Sequence, residues 1–239
     1  MNLLLLSPDE IQHNNRGIIS APNDRRLIHI NQVQKPAVGD SLRVGVIGGN
    51  KGTGRILTLS EQYLELDIEL NQPPPKPLAL NLVMALPRPK MLKRILQSST
   101  SMGVKDIYFI NTYRVDKSYW STPILQGATL TEQLLLGLEQ AGDTHLPKVH
   151  LKKRFKPFVE DELPSIAANT RALVAHPYKA ASCPCASDER TTLAIGPEGG
   201  FIDYEVTKLN EAGLKSVHIG ERILRVETAV PVLLAKLCL

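Results

Sequence analysis

The sequence predicts an α/β protein in which a small β-barrel precedes a parallel sheet covered by helices. Short strand-like segments joined by Gly/Asn turns fill the first 72 residues, which is typical of a small barrel. Four prolines between Pro73 and Pro77 favour a stiff, extended connector, because proline fits neither a helix interior nor a central strand. Beyond the prolines, strand-like and helix-like segments alternate, which indicates a parallel sheet. We therefore expect two domains, residues 1–72 and residues 73–239.

The elements of the first domain are predicted mainly as strands. They are expected at residues 1–6, 41–47, 55–59 and 63–68, with a short helix within residues 24–33. The glycine-rich segment 48–54 lies between two of these strands. We interpret it as a hairpin turn rather than a phosphate-binding loop, because Lys51 precedes Gly52 and a strand follows instead of a helix.

The second domain is predicted to alternate strands with helices. Strands are expected at residues 78–86, 104–110, 149–151, 172–175, 193–195 and 216–219, and helices at 91–102, 129–140, 203–212 and 227–239. Gly103 and Gly213 are expected to end two of the helices. Thr129 with Glu132 forms a plausible capping box, and Pro231 is expected in the first turn of the last helix, where a missing N–H costs little.

Composition indicates an ordinary soluble protein, with 43% hydrophobic and 22% charged residues. We expect no membrane span and no secretory signal, because no apolar run approaches about 20 residues and the apolar start is short. Three cysteines, an odd and small number, favour a reducing compartment, and we expect a cytoplasmic protein. Cys183 and Cys185 stand in a C-x-C spacing without a second pair, so no metal is expected.

Positive charge is concentrated in the middle of the chain. Residues 73–160 carry thirteen Lys/Arg against six Asp/Glu, whereas acids slightly outnumber bases on either side. Such clusters attract phosphate backbones without reading sequence, although a solvated helix face would look the same. The candidate RNA-binding residues are Arg88, Lys93, Lys152, Lys153 and Arg154.

Two segments carry the signals of a ligand site. Residues 193–201 run from an apolar strand directly into a Gly/Pro-rich bend that contains Glu198, and residues 218–229 run from a strand through a charged loop into a helix. Ligands of open parallel sheets lie at the carboxyl ends of strands, and glycines there let a ligand approach the main chain. A plain strand-to-helix turn and a surface salt-bridge cluster are the alternatives that the residues alone leave open.

These two segments resemble motifs of the ribosomal RNA small-subunit methyltransferase E (RsmE) family, which belongs to the SPOUT superfamily. They read IGPEGGF at 195–201 and IGERILRVETA at 219–229, in the order and separation of the family. Weaker similarity extends over the whole chain. Residues 39–44 are similar to the PUA-like barrel of the family, and residues 85–88 with 93–103 are similar to its first strand and helix.

The resemblance implies a deep trefoil knot, a homodimer and S-adenosylmethionine as the methyl donor. The implied product is a uridine of 16S ribosomal RNA, in the small subunit or its assembly intermediate, methylated on the ring nitrogen between the two carbonyls. The implied donor-binding residues are Leu173, His176, Pro177, Ile195, Gly196, Pro197, Glu198, Gly199, Gly200, Ile219, Gly220, Ile223, Leu224, Arg225 and Glu227.

The chemistry of such a reaction suggests two catalytic candidates. The uracil nitrogen is a weak nucleophile until its proton leaves, so a base, or a cation that stabilises the anion, lowers the barrier. We predict that Arg225 holds the uridine or its anion. Glu198 is the second candidate, for proton handling or for loop structure.

One departure from the family concerns the middle helix. A Glu-Gln-Ser-Gly-Arg stretch of the family reads here as Glu139-Gln140-Ala141-Gly142-Asp143, so an acid replaces a basic residue that the resemblance puts near RNA. This departure keeps two alternative functions open. One is methylation of a different RNA site or of transfer RNA, and the other is a non-catalytic RNA-binding factor of ribosome assembly. Donor binding separates the second alternative from the rest.

Overall fold

The computed structural model describes residues 1–238, and the chain divides into two compact units. The first comprises Met1–Lys76 and Leu135–Leu146, and the second comprises Pro77–Leu134 and the chain from Pro147 onward. Leu239, the end of the last predicted helix, lies outside the described residues. Within residues 1–238, no helix combines the length and the apolar character that crossing a membrane requires.

The first unit contains a curled, mixed sheet. Within residues 1–76, its six strands are β1 (Leu4–Leu6), β2 (Ile11–Gln12), β3 (Arg16–Ser20), β4 (Ser41–Val46), β5 (Lys51–Leu59) and β6 (Tyr63–Gln72), in the spatial order β1-β4-β5-β6-β3-β2. β1 runs parallel to β4, and the other pairs are antiparallel. The helical segments are a 3-10 turn at Pro8–Glu10, α1 (Arg25–His29) and a π-helical turn at Ile30–Gln34.

The second unit contains a parallel sheet. Its seven strands within the described chain are β7 (Leu80–Ala85), β8 (Asp106–Ile110), β9 (Lys148–Lys152), β10 (Arg171–Ala175), β11 (Ala181–Ser182), β12 (Thr191–Ile195) and β13 (Lys215–His218). They lie in the order β11-β13-β10-β12-β7-β8-β9, and every pairing is parallel. This arrangement confirms the predicted α/β class.

Helices connect the strands of the parallel sheet. They are α2 (Pro89–Ser101), α3 (Gly127–Ala141), α4 (Phe155–Pro157), α5 (Leu163–Ala167), α6 (Asp203–Glu211) and α7 (Val226–Cys238), with 3-10 turns at Lys117–Ser121 and Pro123–Leu125 and a π-helical turn at Phe158–Glu162. α6 contacts β10 and β13, whereas α7 contacts α2 and β12. The last turns of α3, from Leu135, belong to the first unit.

The glycine-rich turn of the first unit is shorter than the predicted 48–54. β5 begins at Lys51, so Gly52 and Gly54 lie within a strand. A Cβ on Gly52 would stand 1.9 Å from the carbonyl oxygen of Glu69 on the neighbouring strand. Gly52 is therefore required for the close approach of two backbones rather than for the turn.

The end of α3 is held within the first unit by polar contacts. The Arg25 guanidinium donates to both carboxylate oxygens of Glu139, at 2.8 and 2.6 Å, and the Glu139 side chain is 3% exposed. Asp143 is 2% exposed, and its Oδ1 accepts the backbone N–H groups of Thr144 and His145. The acid at position 143 thus stabilises the turn after α3 with a buried side chain.

Two predicted helix starts were wrong by one or two residues. α3 begins at Gly127, so Thr129 lies inside the first turn and does not cap the helix. α7 begins at Val226, where the carbonyl of Arg225 accepts the N–H groups of Thr228 and Ala229, and Pro231 consequently lies in the second turn. Proline there removes the N–H that a regular helix would donate to the carbonyl of residue 227.

The parallel topology decides where a ligand site can form. β7 and β12 are buried along their whole length, including polar Asn81, Thr191 and Thr192 among their apolar residues. Because all the strands point the same way, the segments that follow β7, β8, β9, β10, β12 and β13 emerge at one edge of the sheet. This carboxyl edge brings together loops that are up to about 130 residues apart in sequence.

Candidate functional site

A cavity of about 980 Å³ lies at the carboxyl edge of the parallel sheet. Its walls are the loops after β10, β12 and β13, together with faces of α6 and α7 and the side chain of Arg114 from the loop after β8. The volume is at the upper end of what small-molecule sites usually enclose. The cavity is therefore large enough for an organic ligand of cofactor size.

The glycine-rich bend after β12 forms one wall through its main chain. Gly196 has no room for a side chain, because a Cβ there would stand 3.0 Å from the backbone nitrogen of Phe201 and 3.2 Å from its ring. Gly200 has a φ of +74°, a conformation that a residue with a side chain adopts only with strain, and it has open space around it. The two glycines thus fold the bend tightly and leave its backbone accessible to a ligand.

The loop after β13 forms a second wall. Gly220 has a φ of +124°, and its N–H donates to Nδ1 of His218 at 3.1 Å, which turns the chain directly after the strand. Ile223 lines the cavity although 71% of it is exposed. An apolar side chain in this position offers a ligand a surface that water covers in its absence.

Most of the predicted donor-binding residues meet at this cavity. Twelve of the fifteen, all within the described residues, line it: His176, Pro177, Ile195, Gly196, Pro197, Glu198, Gly199, Gly200, Ile219, Gly220, Ile223 and Leu224. They come from three separate loops, so the sequence motifs and the parallel topology lead to the same place.

Three predicted residues do not line the cavity in the described chain. Leu173 is the third residue of β10 and is 4% exposed, so it belongs to the core of the sheet. Arg225 is an exposed residue at the start of α7, where its carbonyl accepts two helix N–H groups. Glu227 is half-buried in the first turn of the same helix. The catalytic role of Arg225 stays a prediction.

Glu198 combines an exposed position in the cavity wall with a structural contact. Its Oε1 accepts the backbone N–H of Arg88 at 3.0 Å, and Arg88 immediately precedes α2. This bond ties the glycine-rich bend to the segment after β7. Of the two predicted roles of Glu198, the role in loop structure is therefore supported by an observed hydrogen bond.

The pKa of His176, which lines the cavity, is shifted by its surroundings. Partial burial lowers the pKa of His176 below its usual 6.5, and the nearby carboxylate of Asp203 opposes this effect only in part. Its ring also meets the Tyr178 ring edge-on, with centroids 5.8 Å apart. At neutral pH the imidazole is consequently uncharged.

The sequence motifs missed several residues of the cavity. Arg114 lines it and donates a hydrogen bond to the carbonyl of Gly199. Tyr178 and Tyr204 also line it and are 61% and 50% exposed. A signal for Arg114 existed, because it follows a strand of the same parallel sheet, but its segment contains no glycine that would attract notice.

Most of the predicted RNA-binding residues lie at or near the carboxyl edge of the parallel sheet. Arg88 precedes α2 and is exposed, as is Lys93 on α2. Lys152 ends β9, where its Nζ pairs with Glu162 at 2.6 Å, and Lys153 and Arg154 follow as exposed residues. Four of the five side chains are thus exposed, whereas Lys152 is partly neutralised by its partner.

Comparison with known proteins gives a consistent result. A sequence model of the RNA methyltransferase domain family matches residues 74–238. The ribosomal RNA small subunit methyltransferase E of Treponema pallidum is 30% identical over 234 residues, which cover 96% of this chain and 87% of that protein. Ribosomal RNA small subunit methyltransferase E 1 of Borreliella burgdorferi is 25% identical and covers 96% of this chain and 94% of its own.

Solved structures support the fold over the full length. The ribosomal RNA small subunit methyltransferase E of Neisseria gonorrhoeae, bound to S-adenosyl methionine, superposes with a TM-score of 0.74 at 21% identity, covering 98% of this chain and 95% of that one. A methyltransferase from Legionella pneumophila in complex with the same cofactor gives 0.74 at 22% identity, with 98% and 96% covered. Together with the family match and the Treponema relative, these findings show that the chain belongs to the ribosomal RNA small subunit methyltransferase E family of RNA methyltransferases.

Proposed function

We propose that this protein transfers a methyl group from S-adenosylmethionine to the ring nitrogen N3 of a uridine in the ribosomal RNA of the small subunit. The observation that carries the proposal is the cavity at the carboxyl edge, which unites the three loops named by the sequence motifs. Relatives named as ribosomal RNA methyltransferases and two cofactor-bound structures of the same fold support the choice of donor and substrate.

The residues of the cavity fit the donor chemically. Three glycines of the bend at Gly196–Gly200 line the cavity, which lets a ligand approach the main chain, and apolar Ile223 and Leu224 suit the adenosine and thioether parts. When bound, the donor supplies a methyl group on a positively charged sulfur. A neutral His176 avoids repelling that charge.

The acceptor side of the reaction needs a proton to leave the uracil nitrogen. We retain Arg225 as the proposed group that holds the uracil or its anion, and Glu198 as the proposed carboxylate for proton handling or loop structure. Arg225 is exposed at the start of α7, beside Leu224 of the cavity wall, so a nucleotide at the mouth could be reached by its long side chain. Arg225→Lys keeps the charge but loses the planar fork, and turnover is expected to fall by at least about tenfold while donor affinity changes little.

The basic residues support an RNA path along the carboxyl edge. Arg88 follows β7, and Lys152, Lys153 and Arg154 lie at or directly after the end of β9. β9 is three strands from β12, a separation of about 14 Å at the usual strand spacing. RNA bound to this cluster would therefore lie along the same edge of the sheet as the cavity.

The architecture completes the proposal. We infer that residues 1–72 act as a PUA-like RNA-binding barrel and that residues 73–239 form a SPOUT domain with a trefoil knot, which works as a homodimer in the cytoplasm. Near the chain end, the carbonyl of Leu237 accepts hydrogen bonds from Arg171 on β10 and from the N–H of Ser187.

The test is a methyl-transfer assay with defined RNA substrates. Purified protein and labelled S-adenosylmethionine are incubated with small-subunit ribosomal RNA that lacks its native modifications, with assembled subunits made from it, and with transfer RNA. Label in a 3-methyluridine of the small-subunit RNA is the expected result. Label in transfer RNA instead would favour the first alternative, and donor binding without transfer to any RNA would favour the assembly factor.

A further inference from the structure

The loop after β8 contributes an arginine to the donor cavity that the sequence motifs do not include. We propose that Arg114 is a positioning residue that holds the glycine-rich bend at Gly199 in the shape that binds the donor. This inference rests on the proposed donor role of that bend and adds a residue that controls it.

The first observation is a direct contact. Arg114 donates a hydrogen bond from its guanidinium to the carbonyl oxygen of Gly199, which lies on a different loop 85 residues further along the chain. A charged donor makes this bond stronger than one between neutral groups. It restrains the peptide unit between Gly199 and Gly200 from the carbonyl side, while the N–H of Gly200 donates to the carbonyl of Pro197 at 2.8 Å.

The second observation explains the glycine at position 199. Its φ lies outside the left-handed region, so backbone conformation does not require glycine there. A Cβ would instead meet Cδ of Arg114 at 2.9 Å, with Cγ and Cβ at 3.7 and 3.6 Å. The absent side chain makes room for the arginine to cross over the bend.

The third observation is that the loop of Arg114 is itself anchored. The N–H of Tyr113 donates to Oε1 of Glu205 at 2.7 Å, and Oε2 of the same carboxylate accepts the N–H of Ile202 at 3.0 Å. Glu205 is 3% exposed in the first turn of α6. The buried carboxylate of Glu205 thus links the backbone at Tyr113, next to Arg114, to the backbone at Ile202, just after the glycine-rich bend. This link restrains the position of the Arg114 backbone relative to the bend.

The fourth observation concerns exposure. Arg114 lies at the surface and lines the cavity, whereas the core of the sheet is closed without it. Its removal should change the shape of the bend and leave the fold intact. A positioning role therefore predicts an effect on donor affinity that is separate from stability.

The experiment measures donor affinity by calorimetric titration with S-adenosylmethionine for the full-length protein and its variants. Arg114→Ala is expected to raise the donor Kd by about tenfold, which corresponds to the loss of one charge-assisted hydrogen bond. Arg114→Lys keeps one donor and should recover most of the affinity. Lys117→Ala, on an exposed site of the same loop outside the cavity, is the matched control and should bind as the parent does.

A double-variant test addresses the contact itself. Gly199→Ala should raise the donor Kd in the parent, because the added methyl group displaces the arginine. In the Arg114→Ala background the same methyl group meets nothing closer than the remaining Cβ, so it should add little further loss. Additive losses would mean that the two positions act independently and would overturn the inference.

Two outcomes separate this inference from the proposed function. If Gly200→Ala weakens donor binding but Arg114→Ala does not, the bend binds the donor and the role of Arg114 is refuted. If neither variant changes donor affinity, the assignment of the bend itself fails. Methyl transfer at saturating donor is the last readout, since Arg114→Ala should then approach the turnover of the parent, and a persistent loss would assign the arginine to the RNA.

Discussion

Gly200→Ala offers a quantitative test of the glycine-rich bend as the donor site. Gly200 has a φ of +74°, and a Cβ at this position would have nothing within 4 Å, so in the free protein the substitution acts through backbone strain alone. An L-residue in the left-handed region costs about 1–2 kcal/mol. A chain of this length should therefore melt about 2–8 °C lower. If the strain is relieved by a change of the bend, donor affinity should fall by about five- to thirtyfold.

The chain offers a matched control at Gly213, two residues after the end of α6. Its φ is +96°, a Cβ there would also have nothing within 4 Å, and it does not line the cavity. Gly213→Ala should lose similar thermal stability and bind S-adenosylmethionine as the parent does. Calorimetric titration and thermal melting of both variants are the assays. Equal donor affinity of the two variants would refute the assignment of the bend as the donor site.

The remaining predictions concern RNA, the first unit and pH. Replacing Lys153 and Arg154 with alanine should make the negative slope of the log RNA-association constant against log salt concentration shallower by about 1.4, at about 0.7 per phosphate contact. Donor affinity should not change. An unaltered slope would mean that these two residues are solvated surface without contact to RNA. Arg25→Ala leaves the buried carboxylate of Glu139 unpaired and should lower the free energy of unfolding, measured with denaturant, by about 3 kcal/mol. Glu139→Gln should cost less, because the partly exposed arginine stays in contact with water. A larger loss for Glu139→Gln than for Arg25→Ala would contradict this reasoning. Because the pKa of His176 is lowered in the fold, its contribution to stability is complete above pH 6.5 and is lost as the pH falls through the folded-state pKa. Melting temperatures of His176→Gln should accordingly decline less below pH 6.5 than those of the parent, and identical declines would exclude the effect.

Much of the second unit could be predicted from local patterns. Largely apolar runs revealed β7 and the last three residues of β12, because a strand buried on both faces has no solvent-facing side that would alternate with polar residues. Buried Asn81, Thr191 and Thr192 gave no such signal. The glycines at 196, 200 and 220 were informative because each one meets a local demand of the backbone, a close approach or a positive φ. Such demands leave a trace at the position itself, which is why the motif loops were found.

Long-range contacts left no such trace. Arg25 and Glu139 are 114 positions apart, and Arg114 and Gly199 are 85 apart, so neither pair is visible without the fold. Helix starts failed for a related reason. Thr129 and Glu132 have the spacing of a capping box, but α3 already begins at Gly127, so Thr129 lies inside its first turn. Local preference is weak there, and the surrounding structure decides where the helix begins.

The proposed reaction is methylation of N3 of a uridine in small-subunit ribosomal RNA. The most direct measurement compares the modified nucleosides of ribosomal and transfer RNA, by nuclease digestion and mass spectrometry, between cells with and without the gene. We predict that 3-methyluridine disappears from the small-subunit RNA of the deletion strain and returns when the parent protein is supplied. It should not return when the supplied protein carries both Gly200→Ala and Gly196→Val, which are expected to prevent donor binding. Unchanged 3-methyluridine in the deletion strain, together with loss of another methylated nucleoside, would contradict the account.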